Sequence, residues 1–177
     1  MKIYLVGMPC TGKTTLGREF AKEINFNFID TDELIESWKK MTIPEIFEKY
    51  GERGFRKMEK DALHYIESLD YVIVATGGGI FKDPTNRQLM NGVVVHIASN
   101  LESIISRMME SKVIRPLFKN RSIDSIRKIY DERISTYNSL SDHTLFNVYS
   151  YENRYDVLLR LHYIKLREEL KEEKGEK

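Results

Sequence analysis

Apolar residues in this chain fall into short continuous runs that alternate with stripes recurring every three or four positions. The first run, Lys2-Ile3-Tyr4-Leu5-Val6, predicts a buried strand, and Leu16, Phe20 and Ile24 behind it predict one face of a helix. Phe26-Asn27-Phe28-Ile29 predicts a second strand ending at Asp30-Thr31-Asp32, followed by a helix marked by Leu34, Ile35 and Trp38. Thr42-Ile43-Pro44-Glu45 has the form of a capping box. The helix it opens should turn Ile46, Phe47 and Tyr50 inward and break at Gly51. Phe55, Met58, Ala62 and Ile66 then form the apolar stripe of a longer helix.

Tyr71-Val72-Ile73-Val74-Ala75 is continuous and β-branched, as expected of a central strand, and leads into Gly77-Gly78-Gly79. Gly92-Val93-Val94-Val95-His96-Ile97 predicts a fourth strand, the stretch from Leu101 to Met109 a helix, and Thr144-Leu145-Phe146-Asn147-Val148 a fifth strand. Val157, Leu158, Leu161 and Ile164 mark a C-terminal helix, whose charged end, residues 171–177, is expected to fray. Strands alternating with helices predict an α/β fold, a three-layer α/β/α arrangement around a central five-stranded parallel sheet.

Composition narrows the classes of partner. The chain has 177 residues, 41% hydrophobic and 31% charged, which suits one folded domain with a substantial core. A formal net charge of +1 provides no global field for nucleic acid or an anionic membrane, so neither partner is expected. No apolar run approaches the roughly 20 residues that cross a bilayer. The single cysteine, Cys10, excludes an internal disulfide and fits a reducing cytoplasmic address, with the thiol a small filler in its loop. Lys165 and Glu169 form an i,i+4 pair on a solvated helix face. Between residues 110 and 121 the periodicity fails and Lys112, Arg115, Lys119 and Arg121 collect, the pattern of a mobile functional loop and a candidate lid.

The chemistry starts at Gly7-Met8-Pro9-Cys10-Thr11-Gly12-Lys13-Thr14, which fits G-x-x-x-x-G-K-[ST] between a strand and a helix. Backbone N–H groups of such a loop and the positive helix end, entered at Lys13, Thr14 and Thr15, face an anionic phosphate. Lys13 can reach the β and γ phosphates of ATP, and the Thr14 hydroxyl can ligate Mg²⁺. No N-K-x-D-like motif reads guanine, which argues against a GTPase switch. The third strand ends in Ala75-Thr76 with no carboxylate, so Asp30, at the carboxyl end of the second strand, becomes the candidate metal residue. Asp32 either faces the site or caps the helix containing Leu34.

Five motifs in order carry a family resemblance: the phosphate loop, Asp30-Thr31-Asp32, Phe55-Arg56-Lys57-Met58-Glu59, Gly77-Gly78-Gly79, and Arg115-Pro116-Leu117 followed by Arg133 and Tyr137. The chain resembles a shikimate kinase over nearly its whole length. That resemblance implies a nucleoside monophosphate kinase-like fold. It also implies Mg²⁺-dependent transfer of the ATP γ-phosphate to the 3-hydroxyl of shikimate, on the route to chorismate and the aromatic amino acids.

By the same resemblance, Asp32, Arg56, Gly78 and Arg133 contact shikimate, flanked by Gly77 and Gly79, and Arg115 is the lid arginine over the transferring phosphate. Residues 31–62 would form the substrate-binding helical region, and the enzyme is expected to be a monomer. Arg107 and Arg154 are candidates for the adenine side of the ATP site. The chemistry agrees with these roles. Guanidinium forks at Arg56 and Arg133 match a carboxylate. Asp32 can accept from ring hydroxyls and act as general base, alongside Lys13 and Arg115 in catalysis. Glu59 lies one helical turn beyond Arg56, where it can aim the guanidinium, and the glycines let the backbone approach the ring with their N–H groups free to donate.

One segment departs from the family pattern R-x-P-L-Y: Arg133-Ile134-Ser135-Thr136-Tyr137 lacks the proline but keeps the spacing of arginine and tyrosine. Gluconate or a nucleoside monophosphate is the alternative substrate class, and a nucleotide-binding module without turnover is the alternative outside catalysis.

Overall fold

A computed structural model describes residues 1–110, 122–146 and 151–175. In chain order the elements are β1 (Lys2–Val6), α1 (Lys13–Glu23), β2 (Asn27–Asp30), α2 (Thr31–Lys39), α3 (Ile43–Glu67) and β3 (Val72–Ala75). Two 3₁₀ turns, Ile80–Lys82 and Pro84–Leu89, lead to β4 (Val93–Ala98), α4 (Leu101–Glu110), α5 (Ile123–Leu140), β5 (His143–Phe146) and α6 (Tyr151–Lys174). The strands pair in the order β2-β3-β1-β4-β5, all parallel. The three-layer α/β/α expectation is therefore met.

Strand alternation divides the core into two layers. Ile3, Leu5, Ile73, Val95 and Ile97 face α1 and α6, meeting Leu16, Phe20, Val157, Leu158 and Leu161. Tyr4, Val6, Val74 and Val94 face the opposite way, toward Leu63 and Ile66 of α3, Ile104 of α4 and Ile126, Ile129 and Tyr137 of α5. A smaller cluster of Ile35, Ile46, Phe55, Met58 and Ala62 joins α2 to α3 beside the sheet.

β3 is a central strand as expected, paired on both sides and wholly buried, and β1 beside it holds the middle of the sheet. The sequence reading is corrected in four places. Tyr71 falls outside the strand because its left-handed backbone (φ 51°) turns the chain into β3, and the ring stays exposed. Tyr50 does not face inward. Its helix breaks at Gly51 (φ 66°, ψ 179°), and the ring, 42% exposed, remains on the solvent side of that kink. Helix α5 was not anticipated as an element, since polar residues of its segment from Ser122 to Leu140 dilute the stripe of Ile126, Ile129 and Tyr137. Helix α6 runs on through Lys174 rather than fraying at residue 171, with Lys165–Glu169 and Lys171–Glu168 pairs along it.

The capping box is present: Glu45 accepts from the backbone N–H of Thr42 at 2.7 Å and from its hydroxyl at 2.8 Å. Asn147 and Val148, expected in the last strand, and residues 111–121, most of the expected lid, lie outside the described residues. Among the described residues no helix is long and apolar enough to cross a membrane.

Two outcomes follow from the packing. Leu161 is wholly buried between α6 and the sheet. Leu161→Ala should lower the unfolding free energy by about 2–5 kcal/mol, measured by urea denaturation. His96 of β4 is buried, and that burial pushes its imidazole down to about 4 from 6.5, helped by the Lys13 ammonium and opposed by a hydrogen bond with Asn138. Below pH 6.5 the unfolded chain takes up a proton on this ring that the folded protein refuses, so stability should fall as pH drops from 6.5 toward 4. Melting curves across that window should fall less steeply for His96→Gln than for the wild type.

Candidate active site

The parallel sheet ends at one rim, and the loop after β1 wraps there. Gly7 has φ 141°, and a Cβ on it would lie 2.5 Å from the Ile97 carbonyl oxygen, so the loop tolerates only glycine at this contact. Met8 is buried in the core, and the Thr11 hydroxyl donates to the Met8 carbonyl at 2.9 Å. Gly12, in left-handed conformation, caps α1. The Lys13 ammonium donates to the Gly7 and Met8 carbonyls at 2.9 and 2.8 Å. Gly7, Met8 and Thr11 thus build the loop from behind, while Pro9, Cys10, Gly12, Lys13, Thr14 and Thr15 line a cleft of about 860 Å³.

Asp30 answers the question left open between the two aspartates. It is the N-cap of α2, accepting from the backbone N–H of Asp32 at 2.9 Å and of Glu33 at 3.4 Å. Its other oxygen accepts from the Thr14 hydroxyl at 2.7 Å. Asp32 sits in the first turn of α2 and lines the same cleft. Thr14 and Asp30 together present hard oxygen donors beside the phosphate loop, a set that suits a small divalent cation keeping most of its waters. Among the described residues no cluster of three His, Cys, Asp or Glu side chains offers an all-protein metal cage.

The three glycines after β3 make room for three different neighbours. A Cβ would lie 2.6 Å from an Asp32 carboxylate oxygen at Gly77, 2.5 Å from the Pro9 ring at Gly78, and 2.6 Å from the Arg56 guanidinium at Gly79. The N–H of Gly77 is not free to donate to a ligand, because it already donates to the Thr31 hydroxyl at 3.0 Å. Sequence reasoning missed Thr31 in this role, although its place between the two aspartates of the motif marked the position.

Arg56 projects from α3 into the cleft and donates to Glu59 at 2.5 Å, as its one-turn spacing predicted. Glu59 is wholly buried. Burial pushes its carboxyl up to about 7; Arg56 opposes this, and Asp32 adds to it. Arg133 is not among the residues lining the main cleft. It lies in an adjoining hollow of about 330 Å³, on the other side of Gly78 and Gly79, and donates to the Gly78 carbonyl at 2.6 Å. Tyr137, four residues on, donates to the same oxygen at 2.6 Å. Burial raises the Tyr137 phenol to about 12, so it stays protonated and remains a donor. Residues 133–137 lie within continuous helix α5, whose i,i+4 spacing puts both donors on one face without the proline of the family pattern.

Arg107 lines the cleft and donates to the Cys10 carbonyl at 3.0 Å. Arg154 is placed elsewhere, paired with Glu19 of α1 rather than lining the cleft. Arg115 lies outside the described residues.

Comparison with known proteins agrees with this geometry. The shikimate kinase family model matches residues 9–158. A shikimate kinase from a Synechococcus strain is 43% identical over 118 residues, 66% of this chain and 62% of that protein. The shikimate kinase of Thermoanaerobacter pseudethanolicus is 38% identical over 145 residues, 81% of this chain and 84% of its own. Among solved structures, the shikimate kinase from Acinetobacter baumannii in complex with shikimate superposes with a TM-score of 0.86 at 32% identity, covering 96% of this chain and 94% of that one. A match of this extent, on a chain whose cleft joins a phosphate loop to Asp32 and Arg56, has one consequence: the chain belongs to the shikimate kinase family.

Proposed function

We propose that this protein transfers the γ-phosphoryl group of ATP to the 3-hydroxyl of shikimate, giving shikimate 3-phosphate. The observation that carries the reading is that Lys13, Asp32 and Arg56 line one cleft, which supports a triphosphate and a carboxylated polyol sharing it. ATP lies with its phosphates on the loop N–H groups, and Lys13 exchanges two carbonyl partners for phosphate oxygens. Thr14 and Asp30 would hold Mg²⁺, which supplies charge neutralisation on the phosphates.

On the other side, residues 31–62 form the substrate region. Arg56 takes the shikimate carboxylate, and Arg133 joins it by leaving the Gly78 carbonyl, which Tyr137 continues to hold. Asp32 orients the reactive hydroxyl and accepts its proton on a carboxylate oxygen as the oxygen attacks. Residues 110–121 act as the lid that excludes water, with Arg115 meeting the charge that develops on the transferring phosphoryl. Arg107 serves the nucleotide side of the cleft, and Arg154 joins it by exchanging Glu19 for the nucleotide. The enzyme acts as a cytoplasmic monomer in this reading.

A coupled ADP-release assay offered shikimate, gluconate and nucleoside monophosphates should show turnover with shikimate alone; turnover with another acceptor instead would refute the assignment. In that assay Asp32→Asn and Arg133→Lys should damage shikimate turnover while leaving ATP affinity nearly intact, measured by nucleotide titration. Equal loss of ATP binding would overturn the division between the two halves of the cleft. Arg115→Ala should reduce kcat on the order of 10³-fold, and a loss below about tenfold would remove it from the catalytic group.

A further inference from the structure

Both terminal nitrogens of Arg56 are held by carboxylates of its own helix. Nη1 donates to Glu59 at 2.5 Å and Nη2 to Glu52 at 3.1 Å. The two partners differ in kind: the Glu59 side chain is wholly buried, whereas that of Glu52 is 49% exposed. The third nitrogen, Nε, is buried and has no hydrogen-bond partner. Nε and Nη2 share one edge of the guanidinium plane, an edge on which a carboxylate binds with both oxygens. Nε is therefore a buried donor without a partner on that edge, and its neighbour Nη2 is engaged by Glu52.

Glu52 is itself shared. The Lys82 ammonium donates at 2.5 Å to the same oxygen that Arg56 reaches. Lys82 ends the short turn that follows Gly79, and Glu52 immediately follows the Gly51 kink of α3. The contact thus links the glycine turn to α3 across Arg56. Lys82 first, and Arg56 second, hold the Glu52 carboxyl below its ordinary range.

We propose that Glu52 is a positioning residue that competes with the substrate carboxylate for the Nε–Nη2 edge of Arg56, and that Lys82 draws it off that edge when substrate binds. The proposal rests on the reading that Arg56 binds the carboxylate of shikimate. Glu59 cannot take this part: it is buried, it lies on the opposite nitrogen, and moving it would leave a buried charge unpaired. Glu52 can move at little cost, because its oxygen is already on Lys82 and its side chain is half in water. Breaking the Glu52–Arg56 contact alone leaves every charge of the group partnered once a substrate carboxylate is present.

The test is a two-residue cycle in shikimate kinetics at saturating ATP, with shikimate binding measured in parallel by calorimetry. An exposed ion pair changes an equilibrium constant by up to about fivefold, which sets the scale. Glu52→Gln should lower KM and Kd for shikimate about two- to fivefold with kcat unchanged, since the competitor loses its charge. Lys82→Met should raise both by a similar factor, because Glu52 then has only Arg56. In the Glu52→Gln background Lys82→Met should have no effect. A residue that merely aims Arg56 behaves in the opposite way, so a raised or unmoved KM in Glu52→Gln, or additive effects of the two changes, overturns the proposal. Wild-type protein that neither binds nor phosphorylates shikimate would overturn the functional reading and the proposal together; wild-type turnover with the wrong sign in Glu52→Gln sinks the proposal alone.

Discussion

Five parallel strands that end at a single rim are the constraint on which the rest of this molecule depends. The register pairs Asp30 with Ala75, Leu5 with Ala75 and Val6 with His96, so the segments leaving β1, β2, β3 and β4 all emerge together. The exits of β1, β2 and β3 carry parts of the site: the phosphate loop, the aspartates and the glycine turn. A crevice outside the carboxyl ends is where ligands bind in sheets of this kind. The rim is rigid because β1 is buried on both faces and because the Gly7 backbone presses against the Ile97 carbonyl, an approach with no space for a side chain.

Around that rim, charge is arranged by burial as much as by pairing. Glu59 lies in the interior, where burial disfavours its ionised form, and the Arg56 guanidinium is what opposes that penalty. Removing Arg56 would leave the buried Glu59 without the guanidinium that offsets the cost of its charge, whereas Arg56 has Glu52 as a second partner. The pair is therefore a fixed anchor for the cleft side of Arg56. The Gly78 carbonyl is a second anchor, held by Arg133 and Tyr137 from a different helix. The two anchors flank the Gly78–Gly79 turn, with the larger cleft on one side and the smaller hollow on the other. Movement of Arg133 into the cleft would leave the turn in place, because Tyr137 keeps its bond.

Much of this was readable from the chain. The phosphate loop, the capping box at Thr42, the break at Gly51 and the stripe of Phe55, Met58, Ala62 and Ile66 are local patterns, and each appears where its spacing put it. The pairing of Arg56 with Glu59 was also legible, because one helical turn fixes the geometry between them. Helix α5 was less legible, since polar residues interrupt its stripe and the sheet supplies the order that periodicity does not. Tyr50 and Tyr71 were misread because a left-handed residue, Gly51 in one case and Tyr71 itself in the other, redirects the chain at the end of an otherwise regular pattern.

By itself, then, the order of residues determined the layered α/β architecture, the nucleotide loop and part of the charged lining of its cleft, Lys13, Asp30, Asp32 and Arg56. Tertiary structure alone decided that Asp30 meets Thr14 and that the Gly77 N–H belongs to Thr31. It alone set Arg133 on the far side of Gly78, joined Lys82 to Glu52, and tied Arg154 to Glu19. The reason is physical. Periodicity and capping encode contacts within a turn or two of backbone, whereas these bonds join groups 16 to 135 residues apart, whose meeting depends on how strands register and helices pack.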